Sequence, residues 1–286
     1  MGDDAWMIPR WDLERPPAAS VIKPSPARLY DYFLGGKDNF AADRAAAEQI
    51  RRAFPALSEA AWANRRFHGR AAKWIVNRDI RQFIDVGAGL PTMENTHQVV
   101  EQVAADTRVV YVDNDRQVVS HARALLVGGP NVRAIEGDVR EPEAILKHRE
   151  LLTLIDLSEP VGLLITAVMH FISDADDPWQ LVARLMGALA PGSYLALSHG
   201  TADGIPTRAV QVGTEVYEHA TEKLHPRSRA DVARFFHGLA PMPNYPQGSP
   251  GVVHADAWGI PDDSNAGSAG SRAIYCGVGQ NHKEAA

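Results

Sequence analysis

The sequence predicts an α/β protein in which a mostly parallel β-sheet is covered by helices and preceded by a helical N-terminal cap. Short runs rich in Val and Ile alternate with helical windows from residue 82 to about residue 200, which indicates βαβ units with right-handed crossovers. Residues 26–80, by contrast, show only helical periodicity. Hydrophobic residues form 45% of the 286-residue chain, which is enough for a large packed core.

The first eighty residues are predicted to form an irregular arm and then three helices. Residues 1–24 are rich in proline, tryptophan and charge, a composition typical of irregular structure. The first helix follows Pro26, and Gly35-Gly36 ends it, as glycine often does at a helix C-terminus. The second helix is predicted over residues 41–53. The third begins at Ser58, a good N-cap, and has apolar residues at every third or fourth position.

The parallel part of the sheet is predicted from five short runs. These strand candidates are residues 82–86, 109–113, 132–136, 162–167 and 194–198. Helical windows lie between them at residues 94–105, 116–127, 142–150 and 178–189. Two of these windows begin with a proline, Pro142 and Pro178, at the position where a helix tolerates proline.

Beyond residue 198 the alternation loosens. The remaining predictions are helices over residues 207–221 and 230–239, and a closing antiparallel hairpin of strands 252–258 and 273–278. Its loop, residues 261–271, is rich in Gly, Ser and Asp. We divide the chain into residues 1–80, the arm and helical cap, and residues 81–286, the sheet domain.

Composition and charge exclude several classes of function. The net charge of −6 argues against a dedicated nucleic-acid surface, although Arg65, Arg66, Arg70 and Lys73 could still form a local basic patch. The longest apolar run, residues 161–172, is too short to span a bilayer, and the N-terminus does not resemble a signal peptide. We therefore expect a cytoplasmic protein. The histidines lack the spacing of metal ligands, and one cysteine cannot head a metal cluster, so no metal site is predicted.

The first chemically informative segment is the glycine turn that follows residues 82–86. Asp85 lies near the end of the strand, and Gly87 and Gly89 then allow the backbone to approach a ligand closely. The helix after the turn offers free N–H groups to an anion. The third glycine of a dinucleotide fingerprint is absent, because Thr92 occupies that position. This favours a ligand with one carboxylate over a pyrophosphate.

Two more acids end neighbouring strands. Asp113 lies 24 residues beyond Gly89, where nucleotide-binding sheets place a carboxylate on the ribose hydroxyls. Asp138 ends the third strand and could accept a hydrogen bond from an adenine amino group. The alternatives are that Asp113 caps the next helix and that Asp138 lies in a plain turn. All three acids are expected at the carboxyl edge of the sheet, where open α/β sheets bind ligands.

These three motifs resemble those of class I S-adenosylmethionine-dependent methyltransferases. The run Ala27-Arg28-Leu29-Tyr30-Asp31-Tyr32-Phe33-Leu34-Gly35-Gly36-Lys37-Asp38-Asn39-Phe40 is more specific. It is similar to the opening of an actinobacterial family of S-adenosyl methyltransferases long labelled only as a domain of unknown function. The segments Asn64-Arg65-Arg66-Phe67 and Tyr194-Leu195-Ala196-Leu197-Ser198-His199 resemble the same family. The resemblance implies a Rossmann-like methyltransferase fold and S-adenosylmethionine as cofactor. Leu90-Pro91, after the second glycine, departs from the commonest pattern.

The resemblance also implies roles for individual residues. Gly87 and Gly89 would make room for the methionine part of the cofactor, with Asp85 near its amino group. The ribose would bind Asp113, with Asn114 beside it. The residues at the remaining strand ends would flank the adenine or face the methyl group, namely Asp138, Val139, Ala167 and His170.

Candidates for catalysis and for a lid rest on position alone. His170 and His199 each follow a predicted strand and could serve as a general base, although a packing role is the alternative for both. The polar hinge at Gly35-Gly36 could fold over a ligand as a lid, or could simply end a helix. The residues proposed to serve the lid or the substrate are Tyr32, Lys37, Asn39 and Tyr217.

The sequence thus favours an S-adenosylmethionine-dependent methyltransferase that acts on an unidentified, small-molecule acceptor. One alternative is a non-catalytic protein that binds S-adenosylmethionine or S-adenosylhomocysteine on the same fold. A less favoured alternative is an NAD-dependent oxidoreductase, because the glycine fingerprint is incomplete. The oligomeric state is not predicted.

Overall fold

The computed structural model describes residues 23–91, 94–242, 251–259 and 268–282. Three features of the sequence analysis lie outside these residues. They are the irregular arm up to residue 22, Thr92 at the third position of the glycine fingerprint, and loop residues 261–267.

A mixed eight-stranded sheet forms the centre of the molecule, in the order β3-β2-β1-β4-β5-β8-β6, with β7 also paired to β8. Its strands are β1 (Gln82–Val86), β2 (Arg108–Asp113), β3 (Val132–Glu136), β4 (Gly162–Thr166), β5 (Tyr194–Gly200), β6 (Leu239–Pro241), β7 (Val253–His254) and β8 (Ile274–Asn281). The first five strands are parallel, and β8 runs antiparallel to β5. The predicted α/β class and its mostly parallel sheet are confirmed.

Ten α-helices are present in the described residues, and they fall close to the predicted windows. They are α1 (Pro26–Phe33), α2 (Ala41–Ala53), α3 (Leu57–Val76), α4 (Thr96–Glu101), α5 (Arg116–Leu125), α6 (Pro142–Leu146), α7 (Arg149–Leu152), α8 (Pro178–Gly187), α9 (Thr207–Glu218) and α10 (Arg229–Ala233). Ser25 caps α1 and Asp115 caps α5 by accepting hydrogen bonds from backbone amides.

The sheet carries an apolar cluster on each face. On one face, Phe67 and Ile75 of α3 pack with Phe83 of β1 and with Trp258, and all four are fully buried. On the other face, Leu163 and Leu195 pack with Val182 of α8. These strands are therefore buried on both sides, which explains their nearly continuous apolar sequences.

A third apolar cluster joins α1, α2 and α9 above the carboxyl edge of the sheet. It contains Leu29, Phe33, Ile50 and Val216. We call the parts of α1, α2 and α9 that cover this edge the roof. The predicted domain boundary at residue 80 lies in the link between α3 and β1, and it stays a prediction.

The structure differs from the sequence prediction in the last quarter of the chain. The helix expected over residues 230–239 ends at Ala233, and after one 3₁₀ turn and Gly238, which has a φ of +78°, the chain enters β6. The strand expected over residues 252–258 contains only Val253–His254 before another 3₁₀ turn. Arg70 holds that turn by donating to the carbonyl of Ala255 at 2.7 Å. These short edge elements depend on partners distant in sequence.

Candidate functional site

A cavity of about 680 Å³ lies between the carboxyl ends of the parallel strands and the roof. Its floor contains strand-end residues from β1 to β4, and its upper wall contains α1, α2, α3 and α9. The volume is in the range of pockets that enclose a whole small molecule. Of the residues predicted for the site, nine line the cavity: Gly87, Gly89, Asp113, Asn114, Asp138, Val139, Ala167, His170 and Tyr217.

The glycine turn after β1 is held against β2. The amides of Gly87 and Ala88 donate to the carbonyl of Val112 at 2.7 and 3.2 Å. Gly87 and Gly89 have φ angles of +69° and +68°, a region that favours glycine. A Cβ on Gly87 would lie 2.2 Å from a methyl of Val168, whereas a Cβ on Gly89 would meet nothing within 4 Å. Gly87 thus serves packing, and Gly89 leaves open space.

Asp113 is tied to this turn. Its carboxylate accepts hydrogen bonds from the amide of Gly89 at 2.9 Å and from the amide of Asp115 at 2.9 Å. Burial raises the pKa of Asp113 to about 6. The negative charge of Asp115 also raises this pKa, whereas the two backbone hydrogen bonds lower it. The cap of α5 is Asp115, which accepts from the amide of Gln117. The alternative that Asp113 is that N-cap is therefore wrong.

Asp138 belongs to a charged cluster at the β3 end of the cavity. It accepts from the amide and the guanidinium of Arg140, at 2.8 and 2.9 Å, and from the side-chain amide of Asn114 at 3.1 Å. Burial would raise the pKa of Asp138, but these bonds and the charge of Arg140 outweigh it, so the pKa is lowered. Arg140 also donates to Glu222, which follows α9, at 2.5 Å. Sequence reasoning missed Arg140 and Glu222.

Asp85 is buried just below the cavity wall and does not line it. It accepts a 2.6 Å hydrogen bond from the hydroxyl of Thr96. Thr96 in turn lies 2.8 Å from Nε2 of His68, and Nδ1 of His68 lies 2.9 Å from the hydroxyl of Thr166. Burial raises the pKa of Asp85 to about 6 and lowers the pKa of His68 to about 3. His68 and Thr166 reach the cavity, so this buried chain ends at its wall.

A second polar chain connects the end of β4 with α1. Ala167 has a φ of +58°, and its amide donates to the hydroxyl of Ser198 at 2.9 Å. Ser198 donates to the side-chain carbonyl of Asn64, whose amide donates to the Tyr30 hydroxyl at 2.8 Å. Tyr30 donates to the carbonyl of Ala61. The turn predicted to face the methyl group is thereby linked to the roof.

The two candidate catalytic histidines have different surroundings. His170 lines the cavity, but its Nδ1 accepts the amide hydrogen of Gly200 at 3.0 Å, and burial together with the charge of Arg227 lowers its pKa to about 3. His199 is fully buried away from the cavity. Its Nδ1 lies 2.7 Å from the carbonyl of Gly200, and its Nε2 lies 2.9 Å from Arg227. The structure does not bring His199 to the cavity, and a base role for His170 stays a prediction.

Three of the four predicted lid or substrate residues lie away from the cavity. Tyr32 donates to Glu48 on α2, and Lys37 is exposed. Asn39 is buried and donates to Asp31 at 2.7 Å. Tyr217, on α9, is the one of the four that lines the cavity. The segment around residues 35–39 therefore organises the connection between α1 and α2.

The three arginines of the predicted basic patch on α3 are engaged with the protein, whereas Lys73 is exposed. Arg66 forms an ion pair with Asp256 at 3.0 Å, and Arg70 donates to the carbonyl of Trp258 at 2.8 Å. Arg65 donates to the carbonyl of Glu94 and lines the cavity. The same helix brings Asn64 and His68 to the cavity, two polar residues whose positions on the buried face of α3 were the available sequence signal.

Among the described residues, no three His, Cys, Asp or Glu side chains are grouped in a way that could hold a metal ion. No helix in the described part of the chain is long and apolar enough to cross a membrane.

The hydrogen-bonding groups that line the cavity suit a nucleoside attached to an amino acid. Asp113 and Asp138 offer carboxylate oxygens to hydroxyl or amino groups at neighbouring strand ends, and the space above Gly89 admits a ligand without a clash.

Comparison with known proteins agrees with this interpretation. A family model described as S-adenosyl methyltransferase matches residues 14–282. A candidate methyltransferase from Thermobifida fusca YX has 36% identity and a TM-score of 0.84, with 94% of this chain and 99% of that chain covered. A DUF574 family protein from Streptomyces avermitilis MA-4680 has 37% identity and a TM-score of 0.82, with coverages of 90% and 97%.

The CurJ carbon methyltransferase is similar in fold alone, with 12% identity, a TM-score of 0.52, and coverages of 91% of this chain and 72% of that chain. A search of curated proteins finds no match. The family model and the two similar structures cover almost the whole chain. The chain therefore belongs to the S-adenosyl methyltransferase family and is an S-adenosylmethionine-dependent methyltransferase.

Proposed function

We propose that this methyltransferase transfers a methyl group to a small, mainly apolar acceptor that binds under the roof, beside Ala167. The observation that carries the proposal is the continuity of the cavity. One space connects the strand-end carboxylates with an apolar chamber formed by Phe33, Ile50, Phe54, Ile205, Val210 and Leu224. A cofactor on the floor and an acceptor in the chamber would therefore share one enclosure.

The cofactor is proposed to lie along the floor. Asp113, with Asn114 beside it, would bind the ribose hydroxyls, and Asp138 and Val139 would flank the adenine. The methionine part would lie over Gly87 and Gly89. Asp113 still has acceptor capacity for this role, because each of its oxygens accepts one backbone hydrogen bond.

The protein's contribution to methyl transfer is proposed to be orientation and the exclusion of water. When bound, S-adenosylmethionine supplies an electrophilic methyl group on sulfur, which the acceptor's lone pair takes up while the carbon–sulfur electrons return to sulfur. The roof and the turn at Ala167 would hold the acceptor in line with that group and keep water out. Since Nδ1 of His170 is occupied by Gly200, the acceptor is proposed to need no strong base.

The apolar chamber also limits the class of acceptor. The six residues named for it are aliphatic or aromatic, and such side chains would desolvate a charged acceptor without offering it a hydrogen bond. The acceptor must also fit together with the cofactor in about 680 Å³. A neutral, small molecule meets both requirements better than a nucleic acid or a highly charged peptide.

Two experiments test the proposal. Calorimetric titration with S-adenosylmethionine and S-adenosylhomocysteine is expected to show binding, and no binding at millimolar ligand by folded protein would contradict the site. A transfer assay with labelled S-adenosylmethionine should then detect methylation among neutral apolar acceptors and not among charged ones. Tight S-adenosylhomocysteine binding without transfer across a broad panel would favour the non-catalytic alternative.

A variant with a narrowed chamber tests where the acceptor binds. Val210→Phe should reduce transfer to the larger acceptors, because it fills the roof side of the cavity, and should leave S-adenosylhomocysteine affinity unchanged. Equal rates of methyl transfer to the larger acceptors by wild-type and Val210→Phe protein would contradict the placement of the acceptor under the roof.

A further inference from the structure

The buried chain from Asp85 to Thr166 has one direction of hydrogen bonding. The Thr96 hydroxyl has a single proton, which it donates to the carboxylate of Asp85. Toward His68 it can therefore only accept, so the proton of the neutral imidazole lies on Nε2. Nδ1 of His68 is then an acceptor, and the hydroxyl of Thr166 donates to it.

This direction determines what Thr166 presents to a ligand. Because its hydroxyl proton is committed to His68, the oxygen of Thr166 can offer the cavity only lone pairs. Thr166 is half-buried at the end of β4 and lines the cavity, whereas Thr96 and Asp85 lie behind the wall. The chain thus converts a buried carboxylate into a hydrogen-bond acceptor at the cavity surface.

We propose that the Thr166 hydroxyl accepts a hydrogen bond from the amino group at the methionine end of the cofactor, and that His68 is the positioning residue that orients it. This inference rests on the proposal that the cofactor lies along the cavity floor. The family resemblance implies roles for Asp85 and Ala167, but none for His68 or Thr166.

The charges around this hydrogen-bond chain suit the amino-acid end of the cofactor. The cofactor's amino group carries positive charge and only donates, so it needs acceptors such as Thr166 backed by the carboxylate of Asp85. A neutral His68 does not repel it, and burial keeps the imidazole neutral by lowering its pKa. Arg65 lines the same wall, and its positive charge suits the carboxylate of the methionine end.

The test compares two ligands that differ only in the amino group. S-adenosylhomocysteine carries it, and its deamino analogue keeps the carboxylate but lacks the amino group. Calorimetry is expected to show that Thr166→Val weakens S-adenosylhomocysteine about tenfold or more and the deamino analogue by less than about twofold, since hydrogen bonds to charged groups are among the stronger ones. Thr166→Ser retains the hydroxyl and should restore the wild-type ratio.

Thr201→Val is the matched control. Thr201 also lines the cavity, but its hydroxyl accepts from the amide of Asp203 and is not part of the chain. The Thr201→Val substitution should change the affinities for S-adenosylhomocysteine and for its deamino analogue by the same factor. A Thr166→Val protein whose affinities for the two ligands fall by the same factor would overturn the inference.

Variants of His68 test the positioning role. His68→Leu breaks the chain and should lower affinity for S-adenosylhomocysteine selectively, whereas His68→Gln can donate to Thr96 and accept from Thr166 and should restore most of it. A purely structural role would instead lower both affinities together and would not depend on the amino group. If wild-type protein binds neither ligand, the proposed cofactor site is wrong and this inference falls with it. If it binds both ligands and Thr166→Val does not discriminate between them, only the inference is wrong.

Discussion

The backbone amide of Gly89 donates a 2.9 Å hydrogen bond to the side chain of Asp113, so the turn after β1 and the acid that ends β2 form one unit. The bond spans 24 residues of sequence and joins neighbouring parallel strands. Any change at Asp113 therefore acts on the shape of the glycine turn as well as on a ligand.

Asp113→Ala should weaken S-adenosylhomocysteine binding by about 1.5–3 kcal/mol, because a carboxylate that accepts from two hydroxyls would be lost. The measurement is calorimetry on protein shown to be folded by circular dichroism. Asp177→Ala is a control, since Asp177 caps α8 by accepting from Gln180 and does not line the cavity. Unchanged affinity in folded Asp113→Ala protein would contradict the ribose role.

Asp85→Asn should make the protein more stable at neutral pH. The folded pKa of Asp85, about 6, lies above the unfolded pKa of about 3.9, so its contribution to stability is full below about pH 4 and is lost as the pH rises through 6. Asparagine avoids that loss and can still accept from Thr96. Urea unfolding should show an advantage of about 1–3 kcal/mol at pH 7.5 that vanishes near pH 4.

The same substitution should weaken cofactor binding, because it removes the negative charge behind Thr166. An Asp85→Asn protein that gains no stability at pH 7.5 would show that the carboxylate is not destabilised by burial.

Acid should destabilise the protein through its buried histidines. The pKa of His170 is lowered to about 3 by burial, so its contribution is full above the unfolded pKa of about 6.5 and falls as the unfolded state takes up a proton below it. His170→Asn keeps an acceptor for Gly200 and should reduce the loss of unfolding free energy between pH 6.5 and pH 5 by about 1.6 kcal/mol in total. His237→Asn, at an exposed position, is the control. Identical slopes for His170→Asn and wild type would contradict the expectation.

The two glycines of the turn should respond differently to alanine. Gly87→Ala should lower the thermal midpoint strongly, because the new Cβ would collide with Val168, and Val168→Ala should recover part of the loss. Gly89→Ala has room and should cost about 1–2 kcal/mol of backbone strain, yet it should abolish cofactor binding by filling the open space. Thermal unfolding with and without S-adenosylhomocysteine separates these outcomes. Equal behaviour of the two variants would contradict the assignment.

The sheet was predictable because its signals are local. The parallel strands appear as short Val- and Ile-rich runs, and the acids at their ends must meet at one edge once the strands are parallel. β6 was missed and β7 was predicted too long, since each is short and exists through pairing with β8. A strand of two or three residues is too short to show the alternation of apolar and polar residues by which strands are predicted.

The polar residues around the site were harder to predict from the sequence than the strand ends that form its floor. Glu222 lies 82 residues from Arg140, and Thr166 lies 98 residues from His68. Only the packing of α3 and the segment after α9 against the sheet edge brings them together. The histidines predicted for the site, His170 and His199, follow strands, whereas the histidine of the buried hydrogen-bond chain, His68, lies on α3.

The apolar cluster around Leu29, Ile50 and Val216 is separate from the two clusters that hold the strands. We expect α1, α2 and α9 to move together when a ligand enters or leaves, because they share this apolar cluster while the strands belong to the other two. Such a motion would break polar links between the roof and the rest of the protein, such as that of Arg28 to Gln117 at 3.1 Å. Substitutions at such links should then change the rates of ligand entry and release, measured by stopped flow, more than they change the melting temperature.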